Sequence, residues 1–352
     1  MIFYSFFILF FSLILFYFTP KEFSNIESVN EIWAWDKENK IGMRNDSRFK
    51  INSQEILNAY KTDKGIYFIN RSEFSLPENS YTEYPLLGKG HILYKKVGST
   101  ILYYSNTGEL LWEKNFKSYP KVNLDGSLIF LVAGDGNQVL ILNQDGNLTG
   151  SERVDGRFLT DIQYSKKNSL LAFSGGEVYL LDSKGKILHN KVEETSSKDN
   201  VFLKSGAISL NSKRIALHYF RNDKDLIILL NENFEIINTI PLDRVYPHKI
   251  FMGLSDQGSL ILNLPDKVII YNDKTKLIYN IKKENEPVYQ IAFANDSIFA
   301  FSYHKELYIL NKDLVKVKTR KIGFYSRIIP SFEDSLFFLE TDKEIITYTI
   351  WK

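Results

Sequence analysis

One strand–turn–strand pattern recurs through most of this chain and constrains its fold more than any other feature of the sequence. In residues 176–188 the pattern is Gly-Glu-Val-Tyr-Leu-Leu-Asp-Ser-Lys-Gly-Lys-Ile-Leu, an apolar strand, a turn carrying Asp, Ser and Gly, and a second strand. Variants of it lie at residues 99–111, 137–148, 225–237, 267–278 and 306–315. A repeat of about forty residues built from strands and turns is typical of a β-propeller or a related array.

Each repeat holds four predicted strands, most clearly in residues 158–191. The third strand is the landmark, and it begins near residues 65, 100, 137, 177, 225, 267, 306 and 344. Short strands at regular spacing, separated by turn residues, favour an all-β fold. The fold class we predict is a β-propeller of about eight four-stranded blades. Seven blades is the alternative, if residues 48–80 do not form a complete blade.

The two ends of the chain are predicted to share one blade. The last third strand runs into the C-terminus, which leaves the final blade one strand short. An apolar island at residues 31–35, Glu-Ile-Trp-Ala-Trp, is the segment expected to supply that strand. Residues 20–47 are therefore expected to be a linker that includes this closing strand, and residues 48–352 to form the propeller.

The N-terminal segment predicts a membrane anchor. Residues 1–18 hold no charged side chain and are almost wholly apolar, and about eighteen helical residues come close to crossing a hydrocarbon core of roughly 30 Å. The basic n-region and small-residue cleavage site of a signal peptide are absent. We predict that residues 1–19 form one uncleaved transmembrane helix and that the propeller lies in the periplasm or otherwise outside the cytoplasm. A cleaved signal, followed by secretion, is the alternative.

Charge and cysteine content exclude several classes of protein. The 44 Lys and Arg residues nearly balance the 42 Asp and Glu residues, whereas proteins that bind nucleic acid concentrate positive charge. No nucleic-acid partner is therefore predicted. The chain has no cysteine, which removes disulfides, thiolate nucleophiles, Cys-ligated zinc and iron–sulfur clusters. Abundant Asn, Lys, Ile and Phe suggest a bacterial source.

One predicted fourth strand, residues 315–321, carries Lys316, Lys318 and Arg320 on a single face. This basic face has two interpretations. A basic edge strand prevents pairing between the open edges of two sheets, and the same face is suited to docking an acidic partner.

The segment Ser105-Asn-Thr-Gly-Glu-Leu-Leu-Trp112 resembles the repeat of the pyrroloquinoline-quinone-type propellers. In that family the Thr-Gly closes the turn between the third and fourth strands, and the Trp packs against the next blade. Forms without the Trp occur at residues 143–146, 182–185 and 272–275. The WD40-like class fits nearly as well, although its Gly-His and Trp-Asp signatures are missing.

The resemblance also bears on chemistry. The quinoprotein enzymes of that family need a calcium-bound quinone, an Asp base and usually a disulfide of adjacent cysteines, and this chain has no cysteine. The resemblance therefore implies the non-catalytic branch, which includes the propeller lipoprotein subunit of the outer-membrane barrel-assembly machinery. That subunit is lipid-anchored through a cysteine, and here the chain departs from it.

Motifs that carry chemistry are not found in the sequence. The five histidines, at positions 91, 189, 218, 248 and 304, have no metal-binding spacing. The Asp-Gly pairs at 125–126, 135–136 and 145–146 lack the spacing of calcium loops, so they are predicted to be turns. Phosphate-binding loops and nucleophile elbows do not occur either. We predict no catalytic, cofactor-binding or metal-binding residues and no cofactor.

The predicted function follows from fold and from these missing motifs. It is a non-enzymatic, membrane-anchored scaffold whose blade loops hold protein partners in the bacterial cell envelope. The alternatives are an enzyme, a dehydrogenase or hydrolase, with its site at the propeller axis, and a ligand sensor with a site there. A convergent polar cluster with shifted pKa values in an enclosed pocket is the feature that would favour the alternatives.

Overall fold

A computed structural model describes residues 28–43, 57, 59–62, 64–69, 73–191, 200–272, 275–281, 291–323, 326–331, 333 and 335–351. The described residues form eight antiparallel sheets, each a blade of a β-propeller. Eight blades are therefore confirmed, and the seven-blade alternative is wrong.

The strands are numbered in chain order. β1 (Ser28–Asp36) and β2 (Ile41–Met43) precede blade 1, which consists of β3 (Ala59–Lys61), β4 (Gly65–Phe68) and β5 (Glu73–Ser75). Blade 2 consists of β6 (Ser80–Glu83), β7 (His91–Lys95), β8 (Thr100–Tyr104) and β9 (Leu110–Asn115). Blade 3 consists of β10 (Ser118–Val122), β11 (Leu128–Ala133), β12 (Gln138–Asn143) and β13 (Leu148–Asp155). Blade 4 consists of β14 (Leu159–Tyr164), β15 (Ser169–Phe173), β16 (Val178–Leu181) and β17 (Ile187–Lys191).

The second half of the ring is built in the same way. Blade 5 consists of β18 (Val201–Ile208), β19 (Arg214–Arg221), β20 (Lys224–Asn231) and β21 (Ile236–Pro241). Blade 6 consists of β22 (Phe251–Leu254), β23 (Leu260–Asn263), β24 (Lys267–Asn272) and β25 (Thr275–Asn280). Blade 7 consists of β26 (Ala292–Ala294), β27 (Ile298–Tyr303), β28 (Glu306–Asn311) and β29 (Lys316–Lys321). Blade 8 combines β30 (Arg327–Pro330), β31 (Leu336–Glu340) and β32 (Glu344–Trp351) with β1 and β2.

The N-terminal strand closes the ring. β1 pairs antiparallel with β32, from Ser28 opposite Trp351 to Asp36 opposite Glu344, and so takes the fourth position of blade 8. β2 adds a fifth strand that the sequence did not predict. Blade 1 has three strands among its described residues, and the predicted boundary between residues 47 and 48 lies outside them.

The predicted anchor at residues 1–19 also lies outside the described residues. Within the part of the chain that the structure describes, no helix is long and apolar enough to cross a membrane.

The core consists of apolar layers between neighbouring blades. The layer between blades 3 and 4, for example, contains Phe130 and Ile141 from one blade and Leu171 and Phe173 from the next, all fully buried. Each of the other seven neighbouring pairs of blades encloses a buried cluster of the same kind. The fourth strands lie at the periphery, where half-buried and exposed residues alternate. Burial of apolar surface between blades is thus what holds the ring together.

The turn between third and fourth strands explains the repeat seen in the sequence. A Ser, Asn or Asp ends the third strand, and its side-chain oxygen accepts a hydrogen bond from the backbone N–H four residues later, as Ser105 does from Glu109 and Asp182 from Lys186. The residue three positions after it has a positive φ, which favours glycine. Gly108, Gly146 and Gly185 occupy this position in blades 2 to 4, and Phe234 and Leu314 adopt the same conformation in blades 5 and 7.

Candidate functional site

Two adjoining cavities lie at the axis, where the inner strands of the blades meet. The larger has a volume of about 790 Å³ and is lined mostly by charged and polar residues of blades 1, 2, 3 and 8. The smaller, about 240 Å³, is lined mostly by apolar residues of the inner strands of blades 4 to 8. Leu86, Leu124, Tyr164 and Arg327 line both, so the two cavities lie directly beside each other.

A buried ion cluster forms one wall of the larger cavity. The Glu340 carboxylate accepts hydrogen bonds from Lys37 Nζ at 2.7 Å and from Arg327 Nε at 2.7 Å. Burial acts to raise the pKa of Glu340, but the positive charges of Arg327 and Lys37 outweigh it and hold that pKa below its usual range. Glu340 is therefore an anion shared by two cations, which leaves one net positive charge at this wall.

Two tyrosines lie beside this cluster. The Tyr84 hydroxyl is buried and lies against the Arg327 guanidinium, with which it interacts. Burial raises the pKa of Tyr84 to about 12 and also raises that of Tyr164, so both stay protonated donors at neutral pH. No signal in the sequence pointed to this group, because Lys37, Tyr84, Arg327 and Glu340 are brought together only by closure of the ring.

A second buried polar cluster lies in blade 5. Asp225 is fully buried, with Lys204 Nζ at 2.7 Å and His218 Nε2 at 3.1 Å from its carboxylate oxygens. The same carboxylate accepts a hydrogen bond from the Tyr246 backbone N–H, and Lys204 donates to the Tyr246 carbonyl. Both backbone groups of Tyr246 are therefore held by the cluster, which indicates a structural role in fixing the link between blades 5 and 6.

The structure separates the five histidines. His91 is fully buried in a cage of Phe68, Phe74 and Tyr104, with ring centroids 4.3 to 5.5 Å away. Burial lowers its pKa to about 4, so it is neutral at pH 7. The other four are distributed over separate blades and links: His218 is buried beside Asp225, His189 and His304 are half-buried, and His248 is exposed.

The Asp-Gly pairs are turns, as predicted. Gly126, Gly136 and Gly146 have φ values of +80°, +72° and +78°, which residues with a side chain rarely adopt. Asp125 accepts a hydrogen bond from the Ser127 backbone N–H at 2.9 Å, as a turn aspartate does. Among the residues that the structure describes, no group of three or more His, Cys, Asp or Glu side chains is placed to hold a metal ion.

The basic face of β29 is occupied within the propeller. Lys318 and Arg320 each lie 2.8 Å from the Glu31 carboxylate of β1, and Arg320 also pairs with Glu344 of β32. Two of the three cations therefore bind blade 7 to the closing blade, an arrangement that neither interpretation of the sequence included. Lys316 points elsewhere and lies 5.4 Å from the centre of the Tyr308 ring.

Strand connectivity gives the propeller two distinct rims. Blades 2 to 7 each have four antiparallel strands. The fourth strand therefore ends on the rim where the first strand begins, and the links between these blades lie on that rim together with the turns between second and third strands. We call this the linker rim. The turns between third and fourth strands lie on the other, the turn rim. Ser28, where β1 begins, pairs with Trp351 at the end of a third strand and therefore lies on the turn rim.

The exposed aromatic side chains lie on the linker rim, which also exposes the aliphatic Val97 and Val245, whereas those exposed near the turn rim are aliphatic. Aromatic residues at or next to the start of five inner strands form a collar on the linker rim and are 40–53% exposed: Tyr81, Tyr119, Phe158, Phe202 and Phe251. Aliphatic residues are exposed near the turn rim, in or just before fourth strands: Leu110, Leu111, Leu148, Leu188, Ile236, Ile237, Ile278 and Val315.

Comparison with known proteins defines the class of this chain by fold. No family model matches it, and no curated protein matches it in sequence. Its structure is similar to that of BamB from Moraxella catarrhalis, with a TM-score of 0.53 and 9% identity over 91% of this chain and 97% of that chain. It is equally similar to a eukaryotic initiation factor, with a TM-score of 0.53 and 14% identity over 82% of this chain and 79% of that one. At these identities the likeness shows the fold alone, which is the β-propeller that the sequence predicted.

Proposed function

We propose that this chain is a non-enzymatic, membrane-anchored β-propeller that serves as a protein-interaction scaffold in the bacterial cell envelope. The observation that carries the proposal is the aromatic collar on the linker rim. Exposed aromatic side chains on a rigid body are typical of protein-binding surfaces, because they contribute large contact area at little cost in conformational entropy. Five such residues lie on the same rim, one from each of five successive blades, rather than being scattered over the surface.

The position of the N-terminus supports the orientation of this scaffold. Residues 1–19 are the proposed anchor, and residues 20–27 can span at most about 28 Å between it and Ser28. Since Ser28 lies on the turn rim, an anchored propeller presents that rim to the membrane and the collar away from it. The collar is then accessible to partners outside the cytoplasm.

The scaffold is tested by site-directed crosslinking of the full-length protein in its native membranes. The chain has no cysteine, so Phe202→Cys and Phe251→Cys each carry a single crosslinker on the collar, and Ile237→Cys carries it on the turn rim as the matched control. We expect a stoichiometric protein adduct from the two collar sites only. Phe202→Ser combined with Phe251→Ser should release that partner, and Ile237→Ser should retain it. A protein that stays solitary at both collar sites would show that the scaffold proposal is wrong.

Anchoring is tested separately. Intact mass of the protein from washed membranes is expected to include residues 1–19, and alkaline extraction is expected to leave it in the membrane fraction. A mature chain that begins after residue 19 and is found in the soluble fraction would contradict the anchor and support the cleaved signal.

A further inference from the structure

The axial cavities combine a charged end with an apolar end. In the larger cavity the cations are Lys37, Lys61, Lys121 and Arg327, and the anions are Glu83, Glu340 and Asp342. The cavity therefore carries one net positive charge. Lys121 and Glu83 pair with each other at 2.7 Å. The wall formed by Lys37, Arg327 and Glu340 itself carries one net positive charge.

Arg327 is the group that this wall presents to the cavity. Its side chain is 45% exposed, whereas that of its partner Glu340 is only 8% exposed. Arg327 uses Nε for Glu340, and a guanidinium has four further N–H donors in one plane. That geometry is suited to a carboxylate, which accepts two parallel hydrogen bonds from such a group.

Tyr84 lies beside Arg327 in the same wall. It lines the cavity and is 7% exposed, and its hydroxyl is buried against the Arg327 guanidinium. A hydroxyl that interacts with a guanidinium limits the orientations of that group, so Tyr84 is a positioning residue for Arg327.

The smaller cavity begins at Arg327 and is apolar beyond it. Its side chains include Ala207, Ile208, Met252, Leu254, Phe293 and Ile328. Its 240 Å³ equals about eight water molecules at roughly 30 Å³ each, which is also enough for a short aliphatic chain. Concave sites with an apolar body and a few convergent polar groups are typical of small-molecule binding.

We propose that the axial cavity binds a small amphipathic carboxylate, with its carboxylate against the Arg327 guanidinium and its aliphatic chain in the apolar cavity. One net positive charge matches one carboxylate. This site is separate from the aromatic collar and does not depend on the scaffold proposal.

Octanoate is the probe that tests the site, titrated calorimetrically into the full-length protein in lipid nanodiscs, with empty nanodiscs as the blank. We expect one saturable site. Tyr84→Phe should weaken binding by roughly tenfold, the usual effect of removing a hydrogen bond to a charged group. The same variant keeps the buried ring and should therefore fold like the unaltered protein, which thermal unfolding checks. Tyr94→Phe is the matched control, a half-buried tyrosine of the same blade outside the cavity, and should bind like the unaltered protein.

Two further measurements locate the two ends of the ligand. Ala292→Leu fills the apolar cavity and should abolish octanoate binding, and Arg327→Lys should weaken it by more than tenfold because the planar fork is lost. Octanol, which has the same chain without the charge, should bind at least tenfold more weakly than octanoate. The proposal is wrong if octanoate shows no saturable site, if octanol binds as tightly, or if Tyr84→Phe and Ala292→Leu both bind like the unaltered protein.

Discussion

Two blade junctions use the same position of the repeat in opposite ways. Trp112 lies seven residues after Ser105 in blade 2, and Lys318 lies seven residues after Asn311 in blade 7. Trp112 stacks on Tyr103 at 5.2 Å and donates a hydrogen bond from Nε1 to the Gln144 carbonyl of blade 3 at 2.9 Å. Lys318 instead forms an ion pair with Glu31 of the closing blade. The junction between blades 2 and 3 is apolar at this position, and the junction between blades 7 and 8 is ionic.

The intermediate blades show what the position requires. A Cβ at Gly146 would lie 2.9 Å from the Trp112 ring, so the large side chain is accommodated by a glycine turn. In blade 4 the equivalent residue is His189, which stacks on Phe234 of blade 5 at 5.7 Å. In blade 3 it is Gly150, whose backbone lies directly against Gly185 of blade 4. In blades 2, 3, 4 and 7 this position therefore contacts the neighbouring blade, whereas the chemistry of the contact differs from blade to blade.

The largest effect on stability is expected at the apolar junction between blades 2 and 3. Trp112→Ala should lower the free energy of unfolding by about 2–3 kcal/mol, less than for a fully buried Trp because this ring is half-buried. Trp112→Phe keeps a ring but loses the hydrogen bond to Gln144 and should cost about 1 kcal/mol. Chemical denaturation measures both, and the exposed neighbour Leu111→Ala is the control with little expected change. A loss below that of the ionic junction would contradict the comparison.

The repeat made the blades predictable from the sequence. The side-chain contacts at the junctions between blades were not predictable in this way. Turn residues such as Asp182 and Gly185 act within a few positions of each other, so their pattern is visible in one repeat. The contacts of Lys318 with Glu31 join residues almost 290 positions apart, and no local pattern reports them. The axial cluster was missed for the same reason, since Arg327 and Tyr84 meet only after the ring has closed.

Protonation of His91, which places a charge inside an apolar junction, should have the next largest effect on stability. His91 lies between blades 1 and 2 with a pKa near 4, against about 6.5 in the unfolded chain. Because the folded state resists protonation, stability is lost as pH falls below about 6.5, and the loss is complete below about 4. Between pH 7 and pH 5 this amounts to about 2 kcal/mol.

The variant His91→Phe removes the titrating group while keeping a ring in the aromatic cage. The difference in free energy of unfolding between this variant and the unaltered protein should therefore shift by about 2 kcal/mol in favour of the variant between pH 7 and pH 5. Urea titrations at the two pH values measure this difference. An identical pH dependence in both proteins would show that His91 is not held neutral in the apolar junction.

The smallest effect on stability is expected at the ionic junction between blades 7 and 8. Although burial acts to raise it, the pKa of Glu31 is held below its usual range by the hydrogen bond and charge of Lys318 and by Arg320. A lowered carboxyl pKa stabilises the fold above the unfolded value of about 4.3 and ceases to do so as pH falls through the folded pKa. Glu31→Gln should therefore cost about 1 kcal/mol at pH 7 in low salt, and less below pH 4 or in 1 M salt, since the pair is partly solvated.

Salt dependence is what separates this junction from the apolar one. The control variant is Lys316→Gln, on the same strand but facing Tyr308 rather than Glu31, and it should cost less than about 0.5 kcal/mol. If the loss of stability caused by Glu31→Gln were unchanged in 1 M salt, the contribution of Glu31 would come from packing. The two junctions would then be stabilised in the same way. If it vanishes in salt while the cost of Trp112→Ala persists, closure of the ring depends on ionic conditions in a way that the junction of blades 2 and 3 does not.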